Sequence, residues 1–371
     1  MALLSDAAVI ERVLGHIANG TTDTSEGCWR EPVANYRTQA RLDAELALLR
    51  RWPSAYCPSA ALPEAGSFVA REAAGTPLLV VRGSDGRVRA FRNACRHRGM
   101  QVASGSGCAA AFSCRYHGWT YGQDGALRHV PHADGFPGLD KERHALVPVA
   151  AVERGGLVWV SQCGSASDLA ELDDFPELIG KEQRIFETRE FKVPANWKIF
   201  LEGFLEGYHI KTTHPQSFLP YGFDNLNVIE SFGRNSRVTF PFKRIQKQAA
   251  LPPAERRIDG TVTYVYQIFP NAVLNVLSRH TVMVVLEPIS LGETRTVSYV
   301  LTNRAEHDAD AEKEARRDAA FVTQTGAVED GEMVTAIQRS LASDANEVFT
   351  FGRYEGAIAH FHRELDALLT G

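Results

Sequence analysis

Two short clamps, CRHRG at residues 95–99 and CRYHG at 114–118, restrict this chain more than anything else in it. Each sets one cysteine beside one histidine: Cys95 and His97 in the first, Cys114 and His117 in the second. Thiolate sulfur and imidazole nitrogen together suit zinc or an iron–sulfur centre. A zinc finger pairs its cysteines closely and then its histidines, the second pair on a helix. Here each clamp holds one of each kind within β-rich sequence. That arrangement suits a [2Fe–2S] centre with two cysteines on one iron and two histidines on the other, imidazole raising the potential by removing negative charge. A structural zinc site and unrelated buried Cys and His are the competing readings. Gly99 and Gly118 allow a sharp backbone turn that aims amide N–H groups at the sulfurs.

A second constellation lies in NWKIFLEGFLEGYHIKTTHP, residues 196–215. Residues 196–210 read as a helix, with Glu202, Glu206 and His209 at i, i+4 and i+7 on one face. His214 follows near Pro215, where the helix is expected to end. Two histidines and one carboxylate make a facial triad with open positions on Fe(II). Glu206 is one candidate for the carboxylate and equally a partner behind the ligands. Asp330, in VEDGEMVTAIQRSL, is the distant candidate, with Glu329 its rival; Asp330 could also cap the helix that follows.

The clamps, with CRYHGWTY around the second, resemble the Rieske domain family. NWK…EGYHIKTTH followed by ED…IQRSL resembles the catalytic domain of Rieske non-heme iron oxygenases, the terminal oxygenase (alpha) subunits. The resemblance covers roughly residues 45–345. It implies Cys95, His97, Cys114 and His117 as ligands of a Rieske-type [2Fe–2S] cluster, and His209, His214 and Asp330 as ligands of a mononuclear Fe(II). It implies that Glu206 bridges the iron site to the cluster of a neighbouring subunit, facing that subunit's His117 across a head-to-tail homotrimer. It also implies a ferredoxin or a flavin-dependent NAD(P)H reductase as electron donor.

Organisation along the chain agrees. Residues 1–50 read as helical. Residues 51–165 read as a small all-β domain, with GSDG (83–86) as a hairpin turn. Residues 166–371 read as a catalytic domain whose alternating runs make a half-buried antiparallel sheet flanked by helices. The fold class is thus α+β, helix-grip-like in its second part. GSGCAA (105–110) fits a dinucleotide fingerprint but lacks the strand–helix context such a site needs; it reads as a turn between strands, and direct electron uptake from NAD(P)H is not expected.

Composition excludes other classes. A net charge of −5 argues against a nucleic-acid partner. No apolar run is long enough to span a bilayer, the N-terminus reads as an amphipathic helix rather than a signal peptide, and six scattered cysteines suit reduced thiols; the cytoplasm is the expected compartment. The charge cluster at 306–318 reads as a solvated helix face. His129, His132, His280, His360 and His362 show no partner pattern.

The expected activity is insertion of oxygen from dioxygen into a small organic substrate. Aromatic side chains near the second motif and on the sheet (Phe200, Phe204, Tyr208, Phe218, Tyr221, Phe223, Tyr264, Tyr266 and Phe269) suit either a cation–π cage for a quaternary ammonium group or a slot for an aromatic ring. Arg234, Arg237, Arg244 and Arg279 are candidates for pairing with a substrate carboxylate. By resemblance, Glu rather than Asp at position 206 leans toward quaternary amines such as choline, betaine or carnitine, with hydroxylation or N-demethylation as the reaction. Aromatic-ring dihydroxylation is the alternative. An electron-transfer protein without oxygenase activity is the alternative from another class.

Overall fold

The computed structural model describes residues 2–163, 166–303, 309–324 and 326–370. The chain forms two compact units: Leu46–Gln183, and Met1–Glu45 together with Arg184–Gly371. The first 45 residues therefore belong with the C-terminal half, and the helix Gln39–Arg51 runs across the boundary.

The first unit is built from β-strands. Seven form one antiparallel sheet in the order Ser54–Pro58, Leu157–Ser161, Pro148–Arg154, Val88–Arg92, Thr76–Arg82, Ser67–Ala73 and Gly105–Cys108. The expected hairpin is present: Arg82 pairs with Val88, and Gly86 turns with φ 78°. GSGC (105–108) is an edge strand rather than a turn, pairing with Ser67–Ala70. Gly107 permits this, because a Cβ there would meet the Phe68 ring at 3.3 Å. A three-stranded sheet, Ala111–Ser113, Thr120–Gly122 and Leu127–His129, accompanies the first. Leu79, Val81, Phe91, Phe112, Trp119, Tyr121 and Leu127 form one core cluster, and Cys95 and Cys114 are part of it.

The second unit carries a seven-stranded antiparallel sheet. Its order is Ile185–Val193, Glu293–Thr302, His280–Ser290, Ala272–Val276, Val262–Ile268, Asn235–Pro241 and Val228–Phe232. Helices Ala309–Gln324, Gly326–Ser340 and Gly356–Thr370 follow in sequence. The last one buries Ala357, Ile358, Phe361 and Leu365, the stripe of an amphipathic helix, and packs on the strands Val228–Phe232 and Asn235–Pro241. The fold is α+β, as expected. Of the charge cluster, 306–308 lie outside the described residues; the remainder lies on Ala309–Gln324. No helix among the described residues is long and apolar enough to cross a membrane.

One expectation fails locally. The helix begun at Trp197 stops at Glu202 instead of reaching residue 210, so Glu202, Glu206 and His209 do not share a helix face. The α-helical ladder is already closed at Gly203, where the amides of Phe204 and Leu205 donate three residues back to Leu201 O and Glu202 O, and farther on the Glu206 side chain takes over. Its Oε2 accepts from the amides of Tyr208 and of His209, the latter at 3.1 Å. Those amides are thereby withdrawn from the helical ladder. A single short turn, Ile210–Thr213, then sets the spacing of His209 and His214.

Candidate functional site

The two clamps fold into matching loops. Cys95 N–H donates to Met100 O and Gly99 N–H to Cys95 O, both at 2.8 Å; Cys114 N–H donates to Trp119 O and Gly118 N–H to Cys114 O, again at 2.8 Å. Gly99 and Gly118 occupy the same place in each loop, at φ 80° and 73°, a region that other L-residues enter at a cost. Both cysteines are buried and unbridged. His97 and His117 point their Nδ1 atoms at each other, 3.1 Å apart. Two imidazoles on one metal ion, each about 2.0–2.1 Å from it, need a spacing of this order. The donor set therefore fits a two-cysteine, two-histidine cluster. Around it, the His97 ring stacks on Trp119 at 5.0 Å. The Tyr121 hydroxyl lies 3.3 Å from Cys95 Sγ and accepts from the amide of Arg96 at 2.8 Å. Tyr121 was not anticipated; its place in CRYHGWTY is the only signal for it.

In the other unit, His209, His214 and Asp330 converge, with one ligand atom from each within 4.8 Å of the others. Asp330 Oδ1 lies 2.9 Å from His214 Nε2 and 3.7 Å from His209 Nε2. The buried His214 Nε2 is close to this oxygen but lacks a hydrogen bond of proper geometry, as an atom aimed at a shared ion would. Asp330 sits within the helix Gly326–Ser340 and not at its start, which removes the capping reading.

Each imidazole is held from behind. His209 Nδ1 meets Glu206 Oε1, and His214 Nδ1 meets Glu329 Oε2 at 2.7 Å. Glu329 also accepts from Ser217 Oγ at 2.6 Å. Carboxylates on the far nitrogens fix the tautomer and leave both Nε2 lone pairs for a metal. The rivalry between Glu329 and Asp330 thus resolves by side: Glu329 behind His214, Asp330 in front. Burial by itself lowers the His214 pKa, but Asp330 and Glu329 outweigh it and hold it above the usual 6.5. Hydrogen bonds from Ser217 and His214 hold Glu329 below its ordinary value. Two nitrogens and one carboxylate oxygen on one side of a small space fit a mononuclear iron.

Glu202 turns away from this triangle. Its Oε1 accepts from Tyr36 Oη at 2.6 Å and meets His362 Nε2 at 2.8 Å. His362 is fully buried. Glu355, which no motif marks, has its carboxyl pKa raised by burial and then by Glu206 and Glu202. Phe218 packs on His214 at 4.7 Å, and Phe200 on Phe204 at 5.3 Å. Tyr264 and Tyr266 pair with Val276 and Leu274, in the register opposite to that of Val265 and Gln267. They surround Arg237, whose guanidinium lies 4.6 Å from the Tyr264 ring and pairs with Glu230 at 2.7 Å. Arg234 and Arg279 pair with Glu364 and Glu314, and Arg244 donates to Gly260 O and Ser278 Oγ.

Residues 181–371 match the family model described as ring hydroxylating alpha subunit (catalytic domain), and residues 53–148 match that of the Rieske [2Fe-2S] domain. The chain is 32% identical over 162 residues to the carnitine monooxygenase oxygenase subunit of Acinetobacter pittii, covering 42% of this chain and 44% of that protein. It is 26% identical over 375 residues to the terephthalate 1,2-dioxygenase terminal oxygenase component subunit alpha 2 of a Comamonas species, covering 88% of each. The fold matches that of the quaternary ammonium Rieske monooxygenase CntA in complex with L-carnitine, with a TM-score of 0.78, 21% identity and 100% of both chains covered.

Proposed function

Because this chain belongs to the ring-hydroxylating alpha-subunit family, with a Rieske [2Fe–2S] domain and a catalytic domain, we propose that it is the terminal oxygenase of a Rieske non-heme iron system. Its cofactors are a Rieske cluster and a mononuclear iron. In this reading the enzyme uses dioxygen and electrons from outside to hydroxylate or oxidatively demethylate a small organic substrate, with a quaternary amine favoured. The domain limits proposed from sequence, 1–50, 51–165 and 166–371, accompany that reading.

The observation that carries it is the triangle of His209, His214 and Asp330 with a carboxylate behind each histidine. Iron held there would supply the activation of dioxygen; everything else falls to the protein. His209, His214 and Asp330 hold the metal on one side. Glu206 and Glu329 keep the Nδ1 protons and so keep the Nε2 atoms free. Phe218, packed on His214, limits the access of water. Cys95, Cys114, His97 and His117 hold the cluster.

Glu206 also serves as the bridge to His117 of a neighbouring copy in a head-to-tail homotrimer, a heterologous contact that closes. Inter-subunit electron transfer is described for CntA, which supports this arrangement. A ferredoxin or flavin-dependent NAD(P)H reductase supplies the electrons, and the cytoplasm is the compartment.

The carnitine-oxidising relative and the CntA fold favour a quaternary amine. A second reading, dihydroxylation of an aromatic ring, is supported by the long match to the terephthalate enzyme. The test is turnover of the chemically reduced protein under labelled dioxygen with quaternary amines and aromatic acids. Formaldehyde, or one labelled oxygen in an amine product, supports the proposal; two labelled oxygens in a ring diol support the second reading. Cluster iron without a third, chelatable iron would indicate an electron carrier and overturn both.

A further inference from the structure

The metal motif lies against one face of the seven-stranded sheet. Residues directly opposed across antiparallel strands point to the same face. The registers Ser236↔Gln267, Gln267↔Val273, Asn275↔Val265 and Asn275↔Val282 run without a shift. They set Ser236, Gln267 and Asn275 on one face, together with His280, two residues before Val282. Phe240 shares that face, four residues after Ser236. A Cβ placed on Gly207, between Glu206 and His209, would lie 3.1 Å from the Phe240 ring. At the other end, His280 Nδ1 meets Asp318 of the covering helix Ala309–Gln324 at 2.9 Å.

This face sets polar side chains among the buried valines Val238, Val265, Val273 and Val284. Gln267 and His280 are fully buried, and Ser236 nearly so. Yet Ser236 Oγ, both amide atoms of Gln267, Asn275 Oδ1 and His280 Nε2 are buried with no hydrogen-bond partner. Folded proteins leave few such atoms unpaired, and these share one face. The Asp318 carboxylate takes the Nδ1–H of His280, which leaves Nε2 of the neutral ring as an acceptor. Asn275 Oδ1 is also an acceptor, and Asn275 stands diagonally across from His280 in the ladder.

Two neighbouring acceptors require a ligand that donates. A hydrocarbon has nothing to offer them, and a quaternary ammonium nitrogen has no hydrogen. A hydroxyl donates, and it also accepts, which suits the unpaired amide of Gln267. We infer that this face is the wall of the substrate site, and that the substrate carries a hydroxyl group whose single proton is shared, as a three-centre hydrogen bond, between Asn275 Oδ1 and His280 Nε2. The inference rests on the oxygenase reading and narrows its substrate class.

The test measures binding to the holoprotein by calorimetry with two pairs, each differing by one hydroxyl: choline against ethyltrimethylammonium, and benzyl alcohol against toluene. The hydroxylated member of at least one pair should bind about tenfold more tightly or better, the worth of a buried hydrogen bond. In Asn275→Leu and His280→Phe that preference should fall to about twofold or less. Independently of any ligand, Asn275→Leu and Gln267→Leu should raise the Tm of the free protein, because each removes unpaired polar atoms. Equal affinities within both pairs, a preference untouched by Asn275→Leu, or a lowered Tm in both leucine variants would each overturn the inference. Iron content and oxygen uptake of the wild type report separately on the oxygenase reading.

Discussion

Glu329 holds His214 by its Nδ1 atom at 2.7 Å, while the next residue in the chain, Asp330, faces Nε2 of the same ring at 2.9 Å. One helix therefore addresses both nitrogens of one imidazole. Asp330 serves as metal ligand in the proposed site; Glu329 only orients its neighbour's partner.

Glu329→Gln should lower affinity for Fe(II) by about 10–100-fold, the usual cost of losing the partner behind a ligating histidine. Asp330→Asn should reduce it further, because a ligand is replaced. Glu206→Gln removes the partner behind His209 and should weaken Fe(II) binding by a similar factor; at saturating iron, with both metals bound, it should in addition slow turnover, as Glu329→Gln should not. Iron titration of the three variants, with turnover at saturating iron, separates the roles; full turnover by Glu206→Gln would remove the bridging role.

The pKa shifts of His214 and Glu329 set opposite edges of a pH window for the metal-free protein. The raised pKa of His214 contributes stability that is complete below the usual 6.5 and is lost as pH rises through the folded value. The lowered pKa of Glu329 contributes stability that is present above the usual 4.5 and is lost as pH falls through the folded value. These two terms favour the metal-free fold most between those usual values. Fe(II) needs a neutral His214, so its affinity should climb as pH rises through the raised His214 pKa. Thermal unfolding against pH, with and without Fe(II), checks both. A pH-independent iron affinity between 6 and 8 would contradict the His214 assignment.

Tyr121→Phe should lower the midpoint potential of the cluster. A hydrogen bond to a ligand sulfur stabilises the reduced, more negative state. A bond worth about 1 kcal/mol corresponds to roughly 40 mV for one electron. Redox titration followed by EPR reads this directly, and an unchanged midpoint would show that the hydroxyl does not donate to Cys95.

Gly99→Ala and Gly118→Ala differ in a way the loop symmetry hides. Both positions have positive φ, and each substitution should cost about 1–2 kcal/mol in strain. A Cβ on Gly99 meets open space, whereas one on Gly118 would lie 2.9 Å from Pro131 Cγ. Gly118→Ala should therefore be the more destabilising and the more damaging to cluster retention, as measured by Tm and visible absorbance. Equal losses would mean that Pro131 moves aside freely.

The cluster clamps were legible because their chemistry is written in adjacent residues. Cys, His and Gly at fixed offsets imply two loops even without partners in view. The metal motif was legible in its histidines but not in its backbone. Helical periodicity placed Glu206 on a face, yet the helix stops at Glu202 and the Glu206 carboxylate instead takes the amides of Tyr208 and His209. Sequence could not separate Glu329 from Asp330, since a helix turns about 100° per residue and only the position of His214 decides which points to the metal. Tyr264 and Tyr266 were candidates for the substrate pocket, but no local pattern shows that they pack around Arg237. The partners of Glu202, Tyr36 and His362, lie at sequence separations of 166 and 160, beyond the reach of any local pattern.

His214 and Asp330 stand 116 positions apart, and the strands from Val228 to Thr302 all lie between them. An ion shared by these two residues closes that stretch of chain into a ring, as a disulfide would. For a loop of about 100 residues, such a closure restricts the unfolded chain by roughly 4.7 kcal/mol at 25 °C on the chain-entropy estimate. Iron would then act as a removable cross-link that staples most of the sheet, and stripping it with a chelator would loosen the catalytic unit against unfolding as well as silence its chemistry.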